Sequence, residues 1–276
     1  YLDGQQQPGG NFNLYGGSIT NNSATSYGGG VYVGGGKFTV NSTAAKAVIS
    51  SNRSDFCGGG VYVDGTGAKA DIKGCTIRGN QSAWEGGGVY VSKGSVTLDS
   101  VTLTENTASA GNGGGGIYLP SSDGSVTVKD STITKNKARY DGGGVLAFGG
   151  YLTLDGKVII KDNRDSSTEA ADDLYVNSMS EGRVSIIADT FDTESKVIFT
   201  ERFGQYTGAY YVSNAEALNA EQLDCLTTDK GREFVKADDG KVYVATALDW
   251  SQWGPVKNTG LTYNGTEQTG VTAPDG

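Results

Sequence analysis

A phrase of three glycines, a branched apolar residue, a tyrosine and a second apolar residue recurs along the chain. It stands at Gly28-Gly29-Gly30-Val31-Tyr32-Val33, at residues 58–63 and 86–91, at 114–119 with Ile117-Tyr118-Leu119, and in altered form at 142–147. The last glycine of each phrase falls at 30, 60, 88, 116 and 144, so the steps are 30, 28, 28 and 28 residues. A fixed period of this size restricts the chain to a solenoid or an array, in which each unit buries its apolar face against its neighbours. Such a scaffold carries many activities or none, so function has to be read from particular positions.

Each period holds two further landmarks. One is an apolar-polar-apolar triplet, as in Phe38-Thr39-Val40, Ala70-Asp71-Ile72, Val96-Thr97-Leu98, Val126-Thr127-Val128 and Leu152-Thr153-Leu154. The other is Ile or Leu followed three residues later by Asn, giving the column Asn22, Asn52, Asn80, Asn106, Asn136 and Asn163. Three short strands of period 2 per repeat, separated by turns rich in Gly, Asn, Asp and Ser, describe an all-β, right-handed parallel β-helix. Coils then stack about 4.8 Å apart, and equivalent residues form ladders. Lys73, Asp99, Lys129 and Asp155 alternate in charge up one such column, which favours this register. The asparagines are expected to form an internal amide ladder at a turn. The triple glycines mark positive φ or close approach of two chains.

Residues 1–165 read as regular coils and 166–247 as degenerate coils with a C-terminal cap, including a short helix near 215–223 and a last strand at 241–244. In the first degenerate coil Asp172-Asp173 replaces the glycine phrase, which reads as an end-of-coil turn rather than a Ca²⁺ site. Residues 248–276 lack the repeat and read as a linker or the start of a following domain. Tyr1-Leu2-Asp3-Gly4 matches Tyr62-Val63-Asp64-Gly65, so the chain is expected to be part of a longer multidomain protein.

The net charge of −9 and pI near 4.6 argue against nucleic acid and anionic membrane surfaces as partners. No run of 18 apolar residues exists, so no membrane insertion of this segment is expected. The absence of histidine removes Ser-His-Asp and Cys-His mechanisms, and no metal or cofactor is expected. Cys75 shares an inward column with Ala47 and Val101, which marks it as a small core residue.

The GGG-[VI]-Y and [IL]-x-x-N phrases resemble the GGA-[ILV] and F-x-x-N repeats of polymorphic outer membrane proteins, and the repeats of large surface proteins of Gram-positive gut bacteria. Residues 261–268 resemble the first strand of small immunoglobulin-like repeats in such proteins. The resemblance implies an extracellular, cell-surface adhesin segment that presents a face to host glycan, mucin or protein. The same solenoid also houses pectate lyases and polygalacturonases, so a polysaccharide lyase or glycoside hydrolase is the alternative, and a pure spacer is a third.

Two columns are candidates for binding. The tyrosines of the repeated phrase, Tyr32, Tyr62, Tyr90 and Tyr118, alternate with inward valines and are expected outside, as a flat platform or simply as a stabilising ladder. Two residues before each glycine phrase stand Ser26, Phe56, Trp84, Asn112 and Tyr140, and one residue before it Tyr27, Cys57, Glu85, Gly113 and Asp141. Positions that vary while the frame repeats are where function sits on a solenoid. Glu85 and Asp141, two coils apart, form the one acid pair considered for an enzyme, at about 9–10 Å by ladder spacing.

Overall fold

The computed structural model describes residues 10–42, 46–176, 184–201, 212–213, 217–236 and 242–244. The expectations for Tyr1–Gly4 and for residues 248–276 lie outside the described residues. The chain winds as a parallel β-solenoid with three ladders. In the first, Val31, Val61, Val89, Ile117, Val145 and Leu174 stack in register. In the second, Phe12, Phe38, Ala70, Val96, Val126, Leu152 and Val184 do so. The third runs from Ile19 through Ile49, Ile77, Leu103, Ile133, Ile160 and Val197 to Leu226. Apart from Phe12, which is exposed, these residues point into one continuous core, with Ile19 half-buried against it and Leu103 and Ile133 fully buried. Each such burial contributes about 1.5–3 kcal/mol.

A fourth ladder of two-residue strands follows the asparagines, from Ser23–Ala24 to Arg164–Asp165, and was not anticipated. Two residues are too short to show an alternating pattern in a sequence.

The corner before this ladder is sharp. The residue preceding each asparagine takes a left-handed conformation, with φ of 58° at Asn21, 55° at Ser51, 60° at Glu105 and 58° at Lys135. That strain is offset by the amide ladder behind it. The backbone N–H and Nδ2 of Asn80 both donate to Oδ1 of Asn106, at 3.0 and 2.9 Å, and Nδ2 also donates to the Ile49 carbonyl. The pattern repeats at Asn52, Asn106, Asn136 and Asn163. At the far end, Asn163 donates instead to Oδ1 of Asp173, at 2.7 and 2.9 Å. Asp172 Oδ1 accepts the Gly142 N–H. The acidic pair is thus the stop of the ladder.

The three glycines have separate jobs. The first holds positive φ, and a Cβ on Gly58 or Gly86 would fall 2.6 or 2.7 Å from the Cβ of Tyr62 or Tyr90. A Cβ on the second would lie 2.5 Å from the next coil's backbone, at Gln81 for Gly59 and at Thr107 for Gly87. A Cβ on the third would press on a glycine carbonyl of the next coil, 2.5 Å away for Gly60. The charge column forms ion pairs between coils, Lys73–Asp99 at 2.9 Å and Lys129–Asp155 at 2.6 Å.

At the C-terminal end the helix Ala220–Leu223 is started by Asn219, whose side chain accepts from the Gln222 N–H. Gln222 Nε2 ties this helix to the carbonyls of Ala188 and Phe191. Phe234–Lys236 and Val242–Val244 pair antiparallel, unlike the coils before them. Leu218, Leu223, Phe234 and Val242 cover this end of the core, with the Phe199 and Phe234 rings 4.9 Å apart.

Candidate functional site

The loop before each glycine phrase is held by the coils beside it. Phe56 N–H donates to the Ser26 carbonyl and Trp84 N–H to the Phe56 carbonyl, both at 3.0 Å. The same register holds one residue on, where Gly58 donates to Glu85, Gly86 to Gly113 and Gly114 to Asp141. Both predicted columns therefore exist as spatial columns.

The tyrosine column differs from the expected open platform. Tyr32 and Tyr62 stack at 5.3 Å and 12°, and Tyr62 and Tyr90 at 4.9 Å and 15°, while Tyr90 and Tyr118 meet edge to face at 5.3 Å. However, Tyr62 and Tyr118 are only 5% and 3% exposed, and Tyr32 and Tyr90 are half-buried. The cause is the first glycine. Its positive φ turns the preceding loop back over the tyrosine strand, so Tyr27 stacks on Tyr62 at 4.8 Å. Tyr118, Leu146 and Tyr175 make a second small core outside the main one. Burial pushes the Tyr62 and Tyr90 hydroxyls above their ordinary range and the Tyr118 hydroxyl up to about 12.

Besides Phe12, Tyr15, Phe148 and Tyr151 elsewhere on the coils, the exposed aromatic rings are those of the covering loops. Tyr27, Phe56, Trp84 and Tyr140 are 41%, 45%, 49% and 50% exposed. Phe56 and Trp84 stack at 6.4 Å and 9°, and Tyr27 leans on Phe56 at 5.7 Å. One coil above Trp84 the column is interrupted by Asn112, and it resumes at Tyr140.

Glu85 and Asp141 do not behave as an equivalent pair. Both oxygens of Glu85 are engaged: Oε1 accepts from the backbone N–H and Nδ2 of Asn112, at 3.1 and 3.2 Å, and Oε2 from the Cys57 thiol at 3.2 Å. Asn112 Nδ2 also donates to the Tyr118 hydroxyl. Glu85 thus acts as a strut across three coils. Burial pushes the Cys57 and Cys75 thiols up to about 12, which leaves them protonated and unreactive.

Asp141 faces a different setting. With Gly111, Asn112, Arg139, Tyr140, Asp165 and Ser167 it lines a cavity of about 380 Å³. The Arg139 guanidinium lies 5.6 Å from the Tyr140 ring centre. Burial raises the Asp165 carboxyl, but hydrogen bonds from Ser167 and Thr168 outweigh it and hold the group below its usual range. Arg139, Asp165 and Ser167 were not singled out by sequence. Arg139 stands three residues before its glycine phrase, in a column that also varies (Thr25, Asp55, Ala83, Gly111), and that variation was the available signal. Among the described residues, no group of three His, Cys, Asp or Glu side chains is placed to hold a metal ion, and no helix is long and apolar enough to cross a membrane.

Residues 59–188 match the family model of the right-handed β-helix region. The chain carries a right-handed parallel β-helix. The match spans the glycine phrases from the second to the fifth, the asparagines from Asn80 to Asn163, and the start of the degenerate coils. No curated protein and no solved structure matches the chain significantly.

Proposed function

We propose that this β-helix is a non-catalytic adhesin segment of a bacterial cell surface, a rigid scaffold that binds host glycan along the loops preceding its glycine phrases. The observation that carries the reading is the run of touching rings Tyr27, Phe56 and Trp84, with Tyr140 two coils on, which stay 41–50% exposed while the tyrosines beneath them are buried or half-buried. Aromatic side chains in the open on a regular scaffold mark an interaction surface, since nothing in the coil's own packing requires them there. The engagement of Glu85 by Asn112 and Cys57 supports a binding role over hydrolysis, because a general acid or nucleophile needs a carboxylate oxygen directed at substrate.

A glycan and mucin array with the whole chain tests this, using Trp84→Ala with Tyr140→Ala as the control. Binding lost in the double variant is the expected result. Binding that persists unchanged would move the site off this column. A folded protein that binds nothing would overturn the reading in favour of a spacer.

A further inference from the structure

The structure points to a specific ligand class for the cavity at Arg139 and Tyr140: we propose that it takes the carboxylate-bearing ring of an acidic sugar. This rests on the glycan reading above and adds to it a position, a charge and a recognition group.

The cavity spans three coils: Gly111 and Asn112 line it from one, Arg139, Tyr140 and Asp141 from the next, and Asp165 and Ser167 from the one after. Rings stacked on one another, as Phe56 and Trp84 are, offer solvent their edges. Where Asn112 stands in place of an aromatic residue the stack stops, and Asn112 and Tyr140 both line the cavity. Two coil rises, about 9.6 Å, separate the levels of Trp84 and Tyr140. The volume of about 380 Å³ falls within the roughly 300–1,000 Å³ of small-molecule sites.

The lining selects the ligand. Among the described residues Arg139 makes no ion pair and spends none of its side-chain N–H groups on the protein. Its guanidinium lies 5.6 Å from the Tyr140 ring centre, a cation–π contact that favours this placement of the side chain. A planar fork of unspent donors held this way matches a carboxylate bidentately. A bare anion does not suit the rest of the wall, because the Asp141 and Asp165 carboxylates also line it. Asp165 already accepts from Ser167 and Thr168, but the negative charge of the two groups at the wall favours a ligand that brings hydroxyl groups along with its one carboxylate. The Asn112 amide donates to Glu85 and Tyr118 and the Ser167 hydroxyl to Asp165, so these two side chains face a ligand as acceptors. A carboxylated pyranose has this pattern, and a uronic acid and a sialic acid share it.

The test is an NMR titration of the ¹⁵N-labelled chain with methyl β-glucuronide and methyl β-glucoside, which differ at the C6 carboxylate, and with a methyl sialoside as a third arm. The glucuronide or the sialoside, whichever the cavity accommodates, is expected to shift the amides of residues 139–141 and to bind about tenfold more tightly than the glucoside, the size of one charge-assisted pair. Arg139→Gln should abolish that preference and Arg139→Lys should restore part of it, with both variants melting like the parent. Raising the salt to 0.5 M should weaken the acidic ligand and leave the neutral one unchanged. Equal binding of acidic and neutral sugars, a preference that survives Arg139→Gln, or shifts confined to other loops would overturn the proposal. If neither acidic probe binds while neutral glycans bind in a Trp84-dependent way, this inference falls and the broader reading stands. If no sugar of either kind binds, both fall.

Discussion

Asp173 closes the asparagine ladder with the wrong residue for neutrality. Every other member is an amide; this one is a carboxylate buried at 1% exposure. Desolvation lifts its pKa from 3.8 to about 6, although the two N–H groups of Asn163 oppose the rise. At about 1.4 kcal/mol per pH unit, that rise corresponds to about 3 kcal/mol. The folded-state value lies above the unfolded one, so the folded protein binds more protons between pH 4 and pH 6. Stability attributable to this group is therefore fully present below pH 4 and lost as the pH rises through about 6. Asp173→Asn keeps an Oδ1 acceptor for Asn163 and removes the charge. The variant is expected to gain up to about 3 kcal/mol over the parent at pH 7 and nothing at pH 3.5. Asp173→Ala removes the acceptor and strands the buried Asn163 backbone N–H, at a cost of about 1–3 kcal/mol, while Asn163 Nδ2 keeps the Ile133 and Lys161 carbonyls. Urea unfolding at pH 3.5, 5, 6 and 7 gives the comparison. Hydrogen exchange at the Asn163 and Asn136 amides reads the same end of the solenoid without requiring all-or-none unfolding. Parallel pH profiles for the parent and Asp173→Asn between pH 4 and 6 would refute the reasoning.

Other consequences follow from single columns. Asn106→Ala removes the Oδ1 that accepts twice from Asn80 and is expected to cost about 2–4 kcal/mol by thermal unfolding. Gly87→Ala places a Cβ 2.5 Å from the Thr107 backbone, so it should prevent native folding or lower the melting temperature severely, while Gly67→Ala, with nothing within 4 Å, should cost only about 1 kcal/mol for its positive φ. Tyr118→Phe loses the hydrogen bond from Asn112 and should destabilise by about 1 kcal/mol without altering the far-UV spectrum. Cys57, Cys75 and Cys225 are buried free thiols and should resist a thiol reagent until the protein is denatured, when all three react.

The periodic parts of this molecule were legible because a solenoid writes each structural demand once per coil. The three glycines, the inward triplets, the Asn column and the Lys/Asp alternation each recur where the ladders place them. What recurs weakly was not legible: the fourth ladder is two residues wide, and Asp173 continues the asparagine ladder from only ten residues after Asn163. The tyrosine column was placed on the correct face of its strand but with the wrong exposure. Alternation assigns a side of the strand, whereas covering of that side depends on the path of the loop, which the positive φ of Gly58, Gly86 and Gly114 turns inward. Arg139 was invisible for a related reason, since its importance comes from lining a cavity with residues of the coils on either side, Asn112 and Asp165, a relation across the stack rather than along the chain.

The same division separates what the scaffold fixes from what it leaves free. Glycine, asparagine and inward aliphatic columns each fail if one coil departs from the rule, because every coil is the template for the next. The position two residues before the glycines has no such constraint, and in successive coils it holds Ser26, Phe56, Trp84, Asn112 and Tyr140. At Phe56 and Trp84 the neighbouring coil ties it down by backbone hydrogen bonds, which any residue can make, whereas Asn112 is also held through Glu85 and Tyr118. Changes there alter the surface without disturbing the core, so a binding face can be varied coil by coil on an unchanged frame. Asn112 illustrates the gain: one residue that declines to extend the aromatic stack both opens a cavity and holds Glu85 in place beside it. Asn112→Trp should fill the Asn112 side of the cavity, and by removing the hydrogen bonds to Glu85 and Tyr118 should cost about 1–2 kcal/mol. The expected outcome is a folded protein whose preference for acidic over neutral sugars is lost. Retention of that preference in a variant that folds would show that the cavity is not where the charge is read.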